Sequence, residues 1–94
     1  MKKLSDQEAQ ASLKALSGWS IESGKLTKTL PFKDYHQTMA FVNALAWISH
    51  RADHHPDLSV GYNKVRIEYS THDAGGLTAK DFACAAQCDA LLGN

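Results

Sequence analysis

Apolar residues at helical spacing follow a capping signal in the first part of the chain. Ser5 and Glu8 are the residue types that form a capping box, in which each side chain bonds to the backbone of the other residue. We therefore predict a helix over about residues 6 to 16, ended by Gly18. The apolar positions that repeat at this spacing are Ala9, Leu13 and Leu16.

Alternation of apolar and polar residues replaces helical spacing after Gly18. The stretches "WSIE" and "KLTKTLPF" are typical of two strands, and Ser23 and Gly24 between them indicate a tight turn. Pro31 has no N–H to donate to a sheet, so it indicates an edge position or the end of its strand. The residues expected to face the core are Trp19, Ile21, Leu26, Leu30 and Phe32.

A long amphipathic stretch begins after Asp34, whose carboxylate can cap a helix. Its wide apolar surface implies burial on more than one side, against the sheet and against another subunit. Pro56 disfavours helical geometry at His55, so the helix is expected to end near residues 53 to 55, with His54 and His55 at its end. One apolar stripe comprises Thr38, Phe41, Leu45, Ile48 and Ala52, and its neighbour Tyr35, Met39, Val42 and Ala46.

The rest of the chain repeats the layout of two strands followed by a helix. "DLSVGYNKVRIEYS" predicts a second hairpin with its turn near residues 62–64, and its second strand turns Val65, Ile67 and Tyr69 to one face. Thr78 then opens an alanine-rich helix. The helix residues expected to pack against the sheet are Phe82, Ala86, Ala90, Leu91 and Leu92.

These elements predict a single domain over residues 1–94. Their order is α-β-β-α-β-β-α, which indicates the α+β class, with a four-stranded antiparallel sheet and three helices packed on one face. A chain of 94 residues makes a thin core, so association into a homodimer or homotetramer is expected to extend it.

Charge and composition exclude several classes of partner. The ten Lys and Arg residues balance the ten Asp and Glu residues, and no basic run exists that would bind nucleic acid or an anionic membrane surface. No apolar run is long enough to span a membrane, so we expect a cytoplasmic protein. Cys84 and Cys88 lie four apart in a predicted helix and are expected to be reduced thiols.

Histidines supply the candidate chemistry. His50, His54 and His55 precede Pro56, and His72 follows the last predicted strand. An imidazole with a pKa of about 6.5 can donate or accept a proton at neutral pH. His50 and His54 share a helical face if the helix persists to residue 54, and His72 reaches them only if its strand ends beside that helix. Alternatively, histidines at a helix end interact with its terminal carbonyls.

Two further residue sets have more than one interpretation. His50 with His54, and Cys84 with Cys88, have spacings that suit zinc, but cysteines among alanines on a helix are more often small buried hydrophobes, so we predict no metal. Asp81 either completes a capping box with Thr78 or orients an imidazole of the histidine site. His36 lies outside this cluster and is expected to be exposed or partly packed.

The chain resembles the pterin-4a-carbinolamine dehydratases. The resemblance rests on His54-His55-Pro56, an aromatic residue after five intervening positions (Tyr62), His72 after nine more and Asp81 after a further eight. The stretches "FKDYHQTMAFV", "YNKVRIEYSTH" and "GGLTAKDFA" are also similar to the family, so the similarity covers most of residues 17 to 92.

The resemblance implies a hydro-lyase that removes water from a 4a-hydroxytetrahydropterin to give quinonoid dihydropterin, without a metal or organic cofactor. This reaction recycles the cofactor of an aromatic amino acid hydroxylase, which is a possible partner. His54, His55 and His72 match the family's active-site histidines. Our hypothesis makes His54 and His72 the acid and base, in either order, and has His50, His55 and Asp81 bind substrate, with His55 a hydrogen-bond donor.

Two positions depart from the family pattern, and two other functions compete. His50 stands where an acidic residue is frequent, which is expected to shift the pH optimum, and Leu58 stands where many members have an aromatic residue. Animal members also act as dimerisation partners of a homeodomain transcription factor, so a protein-interaction role is the first alternative. A related pterin role in molybdopterin metabolism is the second.

Overall fold

The chain forms three helices and four strands in the predicted order. The computed structural model describes residues 2–93. The helices are α1 (Asp6–Leu13), α2 (Tyr35–Ala52) and α3 (Ala79–Leu91). The strands are β1 (Ser20–Glu22), β2 (Lys25–Pro31), β3 (Asp57–Val60) and β4 (Lys64–Tyr69), and a short 3₁₀ turn (His72–Ala74) follows β4. No helix within residues 2–93 is long and apolar enough to cross a membrane.

The four strands form one antiparallel sheet in the order β1-β2-β4-β3. Leu26 of β2 lies opposite Ile21 of β1 on one side and Tyr69 of β4 on the other. Because β2 is an internal strand, Pro31 is tolerated as its last residue and not as an edge residue. The sheet therefore places the carboxyl end of β4 between the β1–β2 turn and the start of β3.

One face of the sheet carries the core and the three helices, as predicted. Leu26, Val65 and Ile67 have no exposed surface, and each such apolar side chain contributes about 1.5–3 kcal/mol when fully buried. The helices cover these strands with Ala9 of α1, Phe41 and Leu45 of α2, and Phe82 and Ala85 of α3.

The three predicted helix caps are confirmed, since each depends on residues close in sequence. Ser5 with Glu8 and Thr78 with Asp81 form complete capping boxes, and the Asp34 side chain accepts the N–H of Gln37. However, α1 ends at Leu13 and not at residue 16, because the following N–H groups bond three residues back in tight turns.

The buried faces of α2 and α3 differ from the apolar stripes that the sequence suggested. On α2, Ser49 is buried while Ile48 is only partly covered. On α3 the expected packing of four residues against the sheet is wrong, since all four are exposed: Ala86, Ala90, Leu91 and Leu92. On α3 two of the buried positions are taken by Asp81 and Asp89, which have hydrogen-bond partners inside the protein, and hydrophobicity alone cannot reveal such partners. The buried residues of α3 are Asp81, Phe82, Cys84, Ala85, Cys88 and Asp89.

A buried ion pair joins α3 to the sheet. Asp89 accepts a hydrogen bond from Trp19 Nε1 and another from Lys28 Nζ, both at 2.9 Å. Lys28 Nζ also donates to the Ser17 carbonyl at 2.9 Å and lies 5.6 Å from the centre of the Trp19 ring. The Lys28 and Asp89 side chains are only 13% and 12% exposed, so each charge depends on the other.

We expect Asp89→Ala to lower the free energy of unfolding by about 3 kcal/mol, because it leaves the Lys28 ammonium buried without its counter-charge. Urea denaturation followed by circular dichroism measures this loss. The control is Glu22→Ala, which breaks the exposed ion pair with Arg66 and should cost much less. Equal losses for the two variants would contradict the structural role of Asp89.

The two cysteines are core residues. Cys84 and Cys88 are free thiols on the buried face of α3. Burial raises the pKa of the Cys84 thiol, and burial together with the nearby negative charge of Asp89 raises the pKa of Cys88 to about 12. Both shifts disfavour the reactive thiolate.

We expect both native thiols to react slowly with Ellman's reagent at pH 8. With a pKa of about 12, only about 1 in 10,000 Cys88 thiols is ionised at that pH. Protein unfolded in urea should react at both cysteines. An Ala86→Cys variant, which adds a thiol at an exposed position of the same helix, should react rapidly at that one extra site. Rapid reaction of both wild-type thiols in the native protein would contradict this environment.

Candidate active site

The end of α2 determines where His54 points. Asp53 adopts the left-handed conformation with φ 53°, and its N–H bonds to the carbonyls of Ser49 and His50. The chain thereby leaves the helix axis, and the His54 N–H donates to the Ser49 carbonyl at 3.2 Å. The helix ends at Ala52, so the condition under which His50 and His54 would share a helical face is not met.

The His54 ring contacts Asp81 through its edge and Tyr69 through its face. Its Nε2 lies 2.6 Å from Asp81 Oδ1, and the ring stacks on Tyr69 with centroids 6.1 Å apart and planes 12° apart. The His54 side chain is 11% exposed. Residues from α2, β4 and α3 therefore meet at this imidazole.

Asp81 is the centre of the hydrogen bonds at this end of the sheet. It is fully buried, and its Oδ2 accepts the Thr78 N–H at 2.9 Å and the Thr71 hydroxyl at 2.8 Å. Its Oδ1 contacts His54. Both roles considered for Asp81 therefore hold, because it caps α3 and orients an imidazole. The amino end of α3 also favours the negative charge.

An ionised carboxylate can only accept hydrogen bonds, so Asp81 fixes the directions of the hydrogen bonds in this group. Thr71 gives its single hydroxyl proton to Asp81, so it accepts from the Thr78 hydroxyl, which lies 2.8 Å away. By the same reasoning His54 donates from Nε2 to Asp81. Within residues 2–93 no hydrogen bond reaches His54 Nδ1, which is the ring nitrogen left for proton exchange.

The other candidate histidines are exposed. His50 lies on α2 with its ring stacked on Trp47, with centroids 6.0 Å apart, and His55 lies in the turn before β3. His72 opens the 3₁₀ turn after β4 and lines a cleft of about 510 Å³ between α1 and the β1–β2 turn. Neither His54 nor His55 lines that cleft.

The structure brings some of the predicted residues together and leaves others apart. His54 and Asp81 are in contact, and Thr71, the residue before His72, bonds to the same carboxylate. His50 is not part of this group, since its ring stacks on Trp47 instead. Neither Thr71 nor Tyr69 was predicted as a site residue: Tyr69 was expected only on the core face of its strand, and the one signal for Thr71 was its position beside His72.

Nothing in the described part of the chain forms a metal cage. Within residues 2–93 no group of three or more His, Cys, Asp or Glu side chains is placed to hold a metal ion. The paired spacings that suggested zinc belong to buried cysteines of α3 and to histidines that point in different directions.

The arrangement suits proton transfer. One ring nitrogen of His54 is anchored on a buried carboxylate, and the other has no protein partner, so the imidazole can exchange a proton while its orientation is kept. His72 follows directly on Thr71, which belongs to the same hydrogen-bond group.

This chain is similar to proteins named as pterin dehydratases. A protein from Nitrosomonas eutropha, provisionally named pterin-4-alpha-carbinolamine dehydratase, is 54% identical over 90 residues, covering 95% of this chain and 80% of its own length. A Brucella melitensis crystal structure described as a transcriptional coactivator/pterin dehydratase superposes with a TM-score of 0.89 at 31% identity, covering 95% of this chain and 97% of that one.

A second solved structure has a different described role. It is a pterin dehydratase-like protein described as a RuBisCO assembly factor of the alpha-carboxysome, with a TM-score of 0.71 at 32% identity, covering 83% of this chain and 93% of that one. The family model described as pterin 4 alpha carbinolamine dehydratase matches residues 2–91. On these matches, which confirm the resemblance drawn from its histidine motif, the chain belongs to the pterin 4 alpha carbinolamine dehydratase family.

Proposed function

We propose that this chain dehydrates a 4a-hydroxytetrahydropterin to quinonoid dihydropterin and water. His54 and His72 act as the acid and base of this elimination. The observation that carries the proposal is the bond between His54 Nε2 and Asp81 Oδ1, at 2.6 Å, in a hydrogen-bond group that also includes Thr71. Family membership supplies the substrate class.

The elimination needs one proton delivered and one removed. One imidazolium gives a proton to the hydroxyl at C4a, which leaves as water with the C–O bonding electrons. The other imidazole takes the proton from N5, whose N–H bonding pair becomes the new double bond between N5 and C4a. Proton exchange with solvent resets the two rings, so neither a metal nor an oxidant takes part.

The two chain segments are linked through one carboxylate. Asp81 holds His54 directly and holds Thr71 through its other oxygen, while the side chain of the next residue, His72, lines the cleft between α1 and the β1–β2 turn, which His54 does not line. A carboxylate against the ring also compensates the positive charge that His54 carries in its protonated form, whichever of the two proton transfers it performs.

The remaining site residues receive supporting roles. His55 is exposed beside His54 and serves as a hydrogen-bond donor to the pterin. Asp81 contributes to substrate binding through His54, since both of its oxygens already accept hydrogen bonds and its side chain is buried. His50 lies on the exposed side of α2 and contributes at the edge of the site, where an imidazole stands in place of the acidic residue that is frequent in the family.

We place the reaction after an aromatic amino acid hydroxylase in the cytoplasm. Hydroxylation of the amino acid leaves the pterin as the 4a-hydroxy compound, so such a hydroxylase must supply the substrate.

A homodimer or homotetramer would enlarge the thin core of a chain of 94 residues. If the protein served molybdopterin metabolism instead, we would expect it not to accelerate this dehydration.

A protein-interaction function is the second candidate. Tyr35 and Trp47 of α2 are 53% and 62% exposed, and large exposed aromatic side chains are typical of surfaces that bind other proteins. One structural neighbour is described as an assembly factor. If this chain fails to accelerate dehydration at several pH values, the interaction function becomes the better explanation.

We expect His54→Ala and His72→Ala each to lower kcat for dehydration by about 100-fold or more, because each removes one of the two proton-transfer groups. A hydroxylase generates the carbinolamine in a stopped mixture, and the decay of its ultraviolet band is followed with and without the protein. Wild-type protein should accelerate the decay.

The matched control is His36→Ala, which removes an exposed histidine near the start of α2. It should retain wild-type kcat. Parental rates in both His54→Ala and His72→Ala would refute the assignment of these residues, even if the wild-type protein proves active.

A further inference from the structure

We infer that Thr71 is a positioning residue for the reaction, acting on His54 through Asp81. The inference rests on the proposed acid/base role of His54. Its structural basis is the hydrogen bond of 2.8 Å from the Thr71 hydroxyl to Asp81 Oδ2, on the carboxylate whose other oxygen holds His54 Nε2.

The Thr71 backbone is fixed independently of this bond. Thr71 pairs with Gly76 in an isolated antiparallel bridge, and its N–H donates to the Gly76 carbonyl at 3.0 Å. Its own carbonyl accepts the N–H of Ala74 within the 3₁₀ turn. The hydroxyl therefore approaches Asp81 from an anchored loop, and it restrains the carboxylate relative to the segment that carries His72.

The Thr71 hydroxyl has no proton left to donate to a substrate. It donates its one proton to Asp81 and accepts the proton of Thr78. Loss of this hydroxyl should therefore affect the orientation of His54 more than the affinity for pterin. Asp81 would keep its bond from the Thr78 N–H, so the cap of α3 remains while one restraint on the carboxylate is lost.

The cap and the positioning role are separable only at Thr71. Asp81 takes part in both, and Thr78 is the N-cap residue of α3. Thr71 lies outside α3 and makes no bond to its terminal N–H groups. A variant at Thr71 therefore changes the support of His54 and keeps the bonds of the Thr78 and Lys80 N–H groups at the helix start, while the Thr78 hydroxyl loses its acceptor.

The test compares kcat and KM for carbinolamine dehydration in Thr71→Val, Thr71→Ser and Thr27→Val. Valine keeps the shape of threonine without its hydroxyl, and we expect kcat to fall roughly 10-fold with KM changed less than about threefold, since small misplacements of a catalytic group are costly. Thr71→Ser should restore kcat. Thr27→Val, which removes a buried hydroxyl that bonds to the Lys25 carbonyl, should leave both constants unchanged.

A second measurement follows His54 directly. The Nε2–H proton of His54 is assigned in the proton NMR spectrum by its disappearance in His54→Gln. We expect Thr71→Val to shift this resonance and to speed its exchange with water, and Thr71→Ser and Thr27→Val to leave it in place. If Thr71→Val does not fold, Thr71→Ala is used in both measurements.

The two measurements separate this inference from the proposed function. An inactive wild-type protein refutes the proposed function, and the resonance then decides alone whether the Thr71 hydroxyl fixes His54. If the wild-type protein is active, an unchanged resonance or an unchanged kcat in Thr71→Val overturns the inference and leaves the dehydratase function standing.

Discussion

The buried carboxylate of Asp81 is the constraint that organises this end of the molecule. A carboxylate removed from water is strongly unfavourable unless hydrogen-bond donors replace its hydration. The donors come from three places, namely the imidazole that follows α2, the hydroxyl that follows β4 and the backbone of the amino end of α3. Satisfying one side chain therefore fixes the relative positions of three segments, one of which lies 27 residues before Asp81 in the sequence.

The features predicted from sequence are those determined by residues close together in the chain. The Ser5–Glu8 and Thr78–Asp81 boxes need partners three residues away, and the alternation in β4 shows directly which residues face the core. The order of elements and the antiparallel sheet follow from these local signals. The motif residues could likewise be recognised from spacing, which identified the family before any contact was known.

The features that could not be predicted depend on contacts distant in sequence. His54 bonds to Asp81 across 27 residues, and its direction depends on the left-handed conformation of Asp53, which has no clear signal in the sequence. Ser49 and Asp89 occupy buried faces where apolar residues were expected. Their burial depends on tertiary surroundings, which for Asp89 are Lys28 and Trp19, and a hydrophobic pattern counts such residues as exposed.

The double role of Asp81 has a consequence for how variants of this family should be interpreted. A substitution at Asp81 removes the cap of α3 and the partner of His54 together, so lost activity at that position does not distinguish an unfolded helix start from a misplaced imidazole. The Asp81 carboxylate joins the stability of the helix to the orientation of the imidazole that we propose as a proton-transfer group. The Thr71 hydroxyl bonds to this carboxylate and to the Thr78 hydroxyl but to neither of the N–H groups that Asp81 and Thr78 cap, which makes it the point where the structural and chemical contributions of one buried carboxylate can best be told apart.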